Sequence, residues 1–170
     1  MDKNISEKKN LEIRLKDGVI VISLLTDAAP LHVKRIVELA ESGNYNNVVF
    51  HRVIDGFMAQ TGDVEFGNRE KGYDPERVGT GGSSEPNIPA EFSDIPFNRG
   101  TVGMARAQDP NSANSQFFIM FDDGHFLNGQ YTVFGTVISG MEYVDKIKRG
   151  DQDNNGTVHE PDQMLKVVVK

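Results

Sequence analysis

A chain of 170 residues, 38% of them apolar and 25% charged, can bury one core but is too short for two ordinary domains. Residues 1–170 are therefore expected to form a single domain whose core begins near residue 10. The formal net charge of −7 opposes nucleic acid as a partner, because phosphate binding needs clustered Lys and Arg, and the absence of cysteine excludes disulfides, a thiolate nucleophile and thiolate-bound zinc. The opening MDKNISEKKN is polar where a signal peptide would be apolar, and no later apolar run reaches the ~18 residues of a membrane span. The expectation is a soluble, cytoplasmic protein with no membrane partner.

Residues 11–16, LEIRLK, alternate apolar and polar side chains, and Asp17-Gly18 separates them from VIVISLL in the manner of a two-residue hairpin. From Pro30 to Gly43 the period changes. Val33, Ile36, Val37 and Ala40 share one helical stripe, Thr26 or Asp27 is placed to cap it, and Gly43 to end it. Short apolar runs follow, VVFHRVI, TVGMA, SQFFIM and YTVFGTVI, with MLKVVVK at the end, each bounded by Gly, Pro, Asn or Asp. A second helix is expected from Ser139 to Gly150. Ser139 and Glu142 fit a capping box, Met141, Val144 and Ile147 form the apolar stripe, and Lys146, Lys148 and Arg149 suit the negative end of the helix dipole. Many short strands with two helices make an all-β dominated fold, a barrel capped by helices.

The stretch from about Thr61 to Thr101 holds four of the seven prolines and seven of the seventeen glycines. It must be mostly loop, and a loop this long in a compact domain is functional or disordered. Phe92 and Phe97 within it are candidates to pin it to the body and so shape a groove.

Two segments carry the chemistry, FHRVIDGFMAQTGD at residues 50–63 and GMARAQDPNSANSQFFIMF at 103–121. With the first hairpin, HVKRIVELA, YDPERVGTGGSSEPNIPAEF and FLNGQYTVFGTVISGMEYVDKI, they resemble, in order and over nearly the whole chain, the cyclophilin-type peptidyl-prolyl cis/trans isomerases of the bacterial cytoplasmic branch. The resemblance implies a closed eight-stranded antiparallel β-barrel capped by two α-helices, with a substrate groove on one face and neither metal nor cofactor. It places the catalytic arginine on Arg52 and further catalytic positions on Phe57, Gln60 and Phe118. Substrate-binding positions fall on Met58, Ala105, Arg106, Ala107, Gln116, Phe126, Leu127 and Tyr131. The implied partners are proline-containing peptides and unfolded or folding proteins, met by a monomer. Where the best-known members carry a tryptophan associated with tight cyclosporin binding, this chain has Phe126, so cyclosporin is expected to bind weakly.

The inventory is chemically coherent. Rotation about an X-Pro bond is opposed by amide resonance, a barrier of about 18–20 kcal/mol. Twisting localises the lone pair on the prolyl nitrogen and makes it a hydrogen-bond acceptor, which a permanently charged guanidinium can meet. Taken singly, Arg52 would be a surface ion-pair partner, the apolar residues core, and Gln60 and Gln116 ordinary hydrogen-bonding groups. Their joint match to the family pattern implies a site. His51 is read as structural, since the mechanism moves no proton. The competing reading, a proline-peptide binding module or chaperone without rate enhancement, is opposed by Arg52 standing beside a full pocket.

Asp151 to Asp162 has partial calcium-loop spacing, but Asp162 stands where such loops carry Glu and Pro161 interrupts it; an Asx-rich turn is the plainer reading. GTGGS at 79–83 lacks the lysine of a phosphate loop, and His32, His51, His125 and His159 share no ligand spacing.

Overall fold

The computed structural model describes residues 9–170; Met1–Lys8, most of the polar opening segment, lies outside them. Strands β1 (Asn10–Arg14) and β2 (Val19–Leu24) pair antiparallel with Leu11 opposite Ile22 and Ile13 opposite Ile20. The alternation read from sequence thus sends one face of each strand inward, where all four side chains are fully buried. The turn centres on Lys16-Asp17, one residue earlier than expected, with the Leu15 N–H donating to the Gly18 carbonyl at 2.8 Å.

Helix α1 (Pro30–Glu41) buries Val33, Ile36, Leu39 and Ala40 against the sheet, with His32 and Arg35 on the same side. Neither Thr26 nor Asp27 caps it. Ala29 occupies the cap position without a side-chain bond, and the Glu91 carboxylate accepts from the Leu31 and His32 N–H groups at 3.1 and 2.9 Å. The orphan donors of the first turn are satisfied from the long loop instead.

The remaining apolar runs form β3 (Val48–Val49), β4 (Arg52–Ile54), β5 (Met58–Thr61), β6 (Thr101–Met104), β7 (Phe117–Met120), β8 (Val133–Ser139), β9 (Gln163–Met164) and β10 (Lys166–Val169). Eight of the ten strands make one antiparallel sheet in the order β10-β1-β2-β8-β6-β7-β5-β4, curled on itself. No single ladder joins the edges β10 and β4, so the expected closure is not made by one ring of strand pairs. Instead β3, just before β4, pairs with β9, just before β10. The segment 150–162 also lies along β4: Gly150 N–H donates to Val53 O, Val53 N–H to Gly156 O, and Val158 N–H to His51 O, at 2.8–3.2 Å.

The second helix is much shorter than expected. Ser139 is the last residue of β8, and α2 spans only Met141–Val144. Gly140 occupies the cap with φ +87°, and a Cβ there would stand 2.3 Å from Val19 O, so the capping position belongs to glycine and not to a serine. Beyond Val144 the chain turns with i to i−3 bonds, and the Arg149 guanidinium takes the carbonyls of Asp145 and Ile147. Val144 and Ile147 of the expected stripe are buried all the same.

Alternate residues of the central strands feed two separate apolar clusters. Phe117 and Ile119 face the main core with Leu11, Ile13, Ile22 and Phe134, while Phe118 and Met120 face a smaller cluster with Met58, Phe97, Leu127 and Val133. The sheet is therefore buried on both faces at β5, β7 and β6, and the second cluster floors a groove on its outer side. Phe97 pins the long loop, fully buried and stacked on Phe118 with ring centroids 5.7 Å apart. Phe92 does not; it is 46% exposed. What organises the loop is Asp63, a fully buried carboxylate that accepts backbone N–H bonds from Glu65, Phe66, Gly79 and Gly81 at 2.7–3.0 Å. Arg35 adds bonds to the carbonyls of Pro86 and Asn114.

Candidate active site

Strand register assembles the centre of the groove. Arg52 on β4 stands opposite Gln60 on β5, Gln60 opposite Phe118 on β7, and Phe118 opposite Gly103 on β6. Directly opposed residues share a face, so the four positions make one row across four strands. Gly103 is required in it: a Cβ there would lie 2.6 Å from the Phe97 ring and 2.8 Å from the Phe118 ring.

The row is tied together by hydrogen bonds. Arg52 Nη1 donates to Gln60 Oε1 at 3.2 Å, Gln60 Nε2 to Gln116 Oε1 at 2.9 Å, and Gln116 Nε2 to the carbonyls of Gly79 and Gly81 at 3.0 and 2.9 Å. On its other side Arg52 is held by Asn155, Nε donating to the backbone oxygen and Nη2 to Oδ1, both at 3.1 Å. A guanidinium has five N–H donors. Three are engaged here, which leaves one on Nη1 and one on Nη2 for a ligand. Burial lowers the pKa of Arg52, with Tyr131 opposing, yet a guanidinium remains a cation throughout the physiological range.

The groove, about 580 Å³, is lined by Arg52, Phe57, Met58, Gln60, Ala105, Arg106, Phe118, Phe126, Leu127 and Tyr131 among others. Ala107 and Gln116 line an adjoining cavity of about 430 Å³ that shares Gln60, Gly79, Thr80, Ala105 and Arg106 with it. All twelve positions singled out in the sequence thus fall on two contiguous hollows. Phe118, Met58 and Leu127 are buried and make an apolar floor, with Phe57 partly exposed above them. Phe126 is 72% exposed at the rim, its ring 5.5 Å from that of Phe57. Arg106 folds back over the Tyr131 ring at 4.5 Å and donates to the carbonyls of Gln130, Ala107 and Gln108.

His51, beside Arg52, is 7% exposed, and its Nδ1 has no hydrogen-bond partner among the described residues. Burial lowers its pKa to about 4, against the opposing charge of Asp63. It is neutral near pH 7 and is not coupled to any nucleophile.

Several groove residues escaped the sequence reading. Asn155 is one, and Pro75, Glu76, Val78, Gly79, Thr80 and Thr157 are others. Asn155-Gly156 carries a turn signal, and Asn155 does adopt φ +56°, but nothing local shows that this turn reaches Arg52 about a hundred residues earlier. The segment considered for calcium is instead part of the clamp: Asp151 caps its own turn by accepting from Asp153 N–H, and Asp162 is engaged by Lys16 and the Lys148 N–H.

A family model described as cyclophilin type peptidyl-prolyl cis-trans isomerase/CLD matches residues 10–169. The chain belongs to the cyclophilin-type peptidyl-prolyl cis/trans isomerases. It is 63% identical to a "Probable peptidyl-prolyl cis-trans isomerase" of Brucella suis over 158 residues, covering 93% of this chain and 81% of that one. It is 42% identical to peptidyl-prolyl cis-trans isomerase B of Escherichia coli over 139 residues, 77% of this chain and 79% of the other. Among solved structures, a cyclophilin type isomerase of Cryptosporidium parvum matches with a TM-score of 0.81 at 26% identity, covering 96% of this chain and 98% of that one. A structure of that protein in the presence of the dipeptide Ala-Pro matches with a TM-score of 0.79 at 26% identity, covering 95% and 98%.

In this isomerase the Asn155 contact can be tested without disturbing the fold. Asn155→Gly keeps the left-handed backbone and the carbonyl that accepts from Nε, and removes the side chain whose Oδ1 accepts from Nη2. One hydrogen bond to a charged group at a part-exposed site is worth about 1 kcal/mol, so kcat/KM on an Ala-Pro peptide should fall about fivefold with Tm nearly unchanged. An unaltered rate would show that Oδ1 does not position the guanidinium.

Proposed function

We propose that the groove built on Arg52, Gln60 and Phe118 is where this isomerase turns the X-Pro bond, within a single domain acting on proline-containing segments of unfolded or folding proteins. The observation that carries the reading is the clamped guanidinium with two donors to spare above an apolar floor. Phe57, Met58, Phe118 and Leu127 take the pyrrolidine ring and hold it. Ala105, Arg106 and Ala107 follow β6 along the wall, where the peptide backbone lies, with Gln116, Phe126 and Tyr131 around it.

With the ring fixed, the acyl side rotates about the amide bond. In the planar ground state the prolyl nitrogen is a poor acceptor. As the bond twists and the lone pair localises, a free Arg52 N–H donates to it, an interaction that exists only near the transition state and so lowers the barrier. Gln60 and Asn155 fix the donor beforehand, so little reorganisation is needed at the moment of reaction. A reduction of roughly 5 kcal/mol would accelerate exchange by about 10³–10⁴-fold with no covalent intermediate and no proton transferred.

Among the described residues no helix is long and apolar enough to cross a membrane; the protein is proposed to act in the cytoplasm, as a monomer.

Arg52→Ala tests the site. The side chain reaches into an open groove, so the variant should melt within a few degrees of wild type while kcat/KM falls by about a hundredfold or more, a barrier increase near 3 kcal/mol. A folded variant with wild-type turnover would sink the mechanism.

Phe126 bears on inhibition. A phenyl ring has no N–H, so cyclosporin should bind about 1–3 kcal/mol more weakly than to members with an indole at this place. Phe126→Trp should tighten the inhibition constant accordingly and change turnover much less, because Phe126 sits at the rim. No gain in affinity would move control of the inhibitor site to Arg106 or Tyr131.

A further inference from the structure

Part of the groove wall is made by residues 75–80, and it carries a carboxylate. Pro75, Glu76 and Val78 line the 580 Å³ groove, while Gly79 and Thr80 line both hollows. This wall is a braced turn. Asp74 Oδ1 accepts from Glu76 N–H at 2.9 Å, Asp74 O from the N–H groups of Arg77 and Val78 at 3.1 and 2.9 Å, and Asp63 Oδ2 from Gly79 N–H at 2.7 Å. Gln116 holds the Gly79 carbonyl from the other side.

Among the described residues the Glu76 carboxylate makes no ion pair and accepts no hydrogen bond, whereas its neighbour Arg77 pairs with Asp74 and lies over the Phe66 ring. The other charges lining the groove differ in this respect. Arg52 is held by Gln60 and Asn155, Arg106 spreads its donors over three backbone carbonyls, and His51 is buried and neutral. Glu76 is the one carboxylate in the lining of this groove. An exposed acid fixed on a rigid turn, with no partner of its own, is available to a cation brought in by the substrate.

We infer that Glu76 makes the isomerase selective for proline segments with a Lys or Arg within two residues of the proline, on the side that meets the 75–80 wall. This rests on the groove being the substrate site. Arg106, from a different segment, lines the same groove, so the charge of the lining is not uniform and the preference depends on position along the peptide. An exposed pair of this kind changes an association by about two- to fivefold and weakens as salt is raised.

The test is kcat/KM on proline peptides carrying Lys, Gln or Glu at each of the two positions before and after proline. It is measured for the wild type, Glu76→Gln and Glu76→Lys, and read as the Lys-to-Glu ratio within each protein so that any general change in rate cancels. At one or more positions the wild-type ratio should be about two to five, fall towards one in Glu76→Gln, invert in Glu76→Lys, and shrink with added salt. A wild-type ratio near one at every position, or a ratio that survives Glu76→Gln, overturns the inference. Either result leaves the groove assignment standing, which falls only if Arg52→Ala retains wild-type turnover on the neutral peptide.

Discussion

The donors of Arg52 are divided between the protein and the groove, and that division governs the rest of the site. Three N–H groups are fastened to Gln60 and Asn155, so the side chain cannot swing away into solvent. Two remain free, and in the proposed mechanism they meet the reacting bond. A freely rotating arginine would carry the same charge but would lose rotamer entropy each time it met the twisted amide, removing much of its advantage at the transition state. The fastening depends in turn on antiparallel register, since a slip of one residue between β4 and β5 would send Gln60 to the opposite face of the sheet from Arg52.

That register is secured because the sheet is buried on both faces where it matters. Phe117 and Ile119 lock β7 into the main core, and Phe118 and Met120 lock it into the second cluster. The long loop is fixed by polar means. Asp63, buried and holding four backbone N–H groups, draws residues 65–66 and 79–81 to one point, and Gln116 grips residues 79 and 81 from the side of the groove. The network from Gly79 through Gln116 and Gln60 therefore links the loop to the Arg52 guanidinium without any ionisable group between them.

The strands were legible because alternation of Leu11, Ile13, Ile20 and Ile22 has one physical meaning, a sheet with a buried face. The apolar stripe of α1 was legible for the same reason. What was not legible is what depends on contacts between distant parts of the chain. Glu91 caps α1 from sixty residues away and displaces the local candidates Thr26 and Asp27. Gly140 displaces Ser139 because the β2 backbone leaves no room for a side chain there. Phe97 and Phe92 are the same residue type five positions apart, yet one is core and the other surface, a difference set by where β6 and β7 lie. The twelve groove positions were proposed through resemblance over the whole chain, while Asn155 and Glu76, to which that resemblance assigned no role, needed the fold.

A reaction that only turns a bond should be indifferent to protons. Arg52 keeps its charge through the physiological range, Gln60, Gln116 and Asn155 do not titrate, and His51, its pKa lowered to about 4 by burial, is already neutral at pH 6 and stays so as the pH rises. The most direct measurement is the pH profile of kcat/KM on an uncharged Ala-Pro peptide. It should be flat between about pH 6 and 8. A bell-shaped profile centred in that interval would mean that turnover depends on groups that titrate there, and would return His51 to the mechanism in place of a fixed charge.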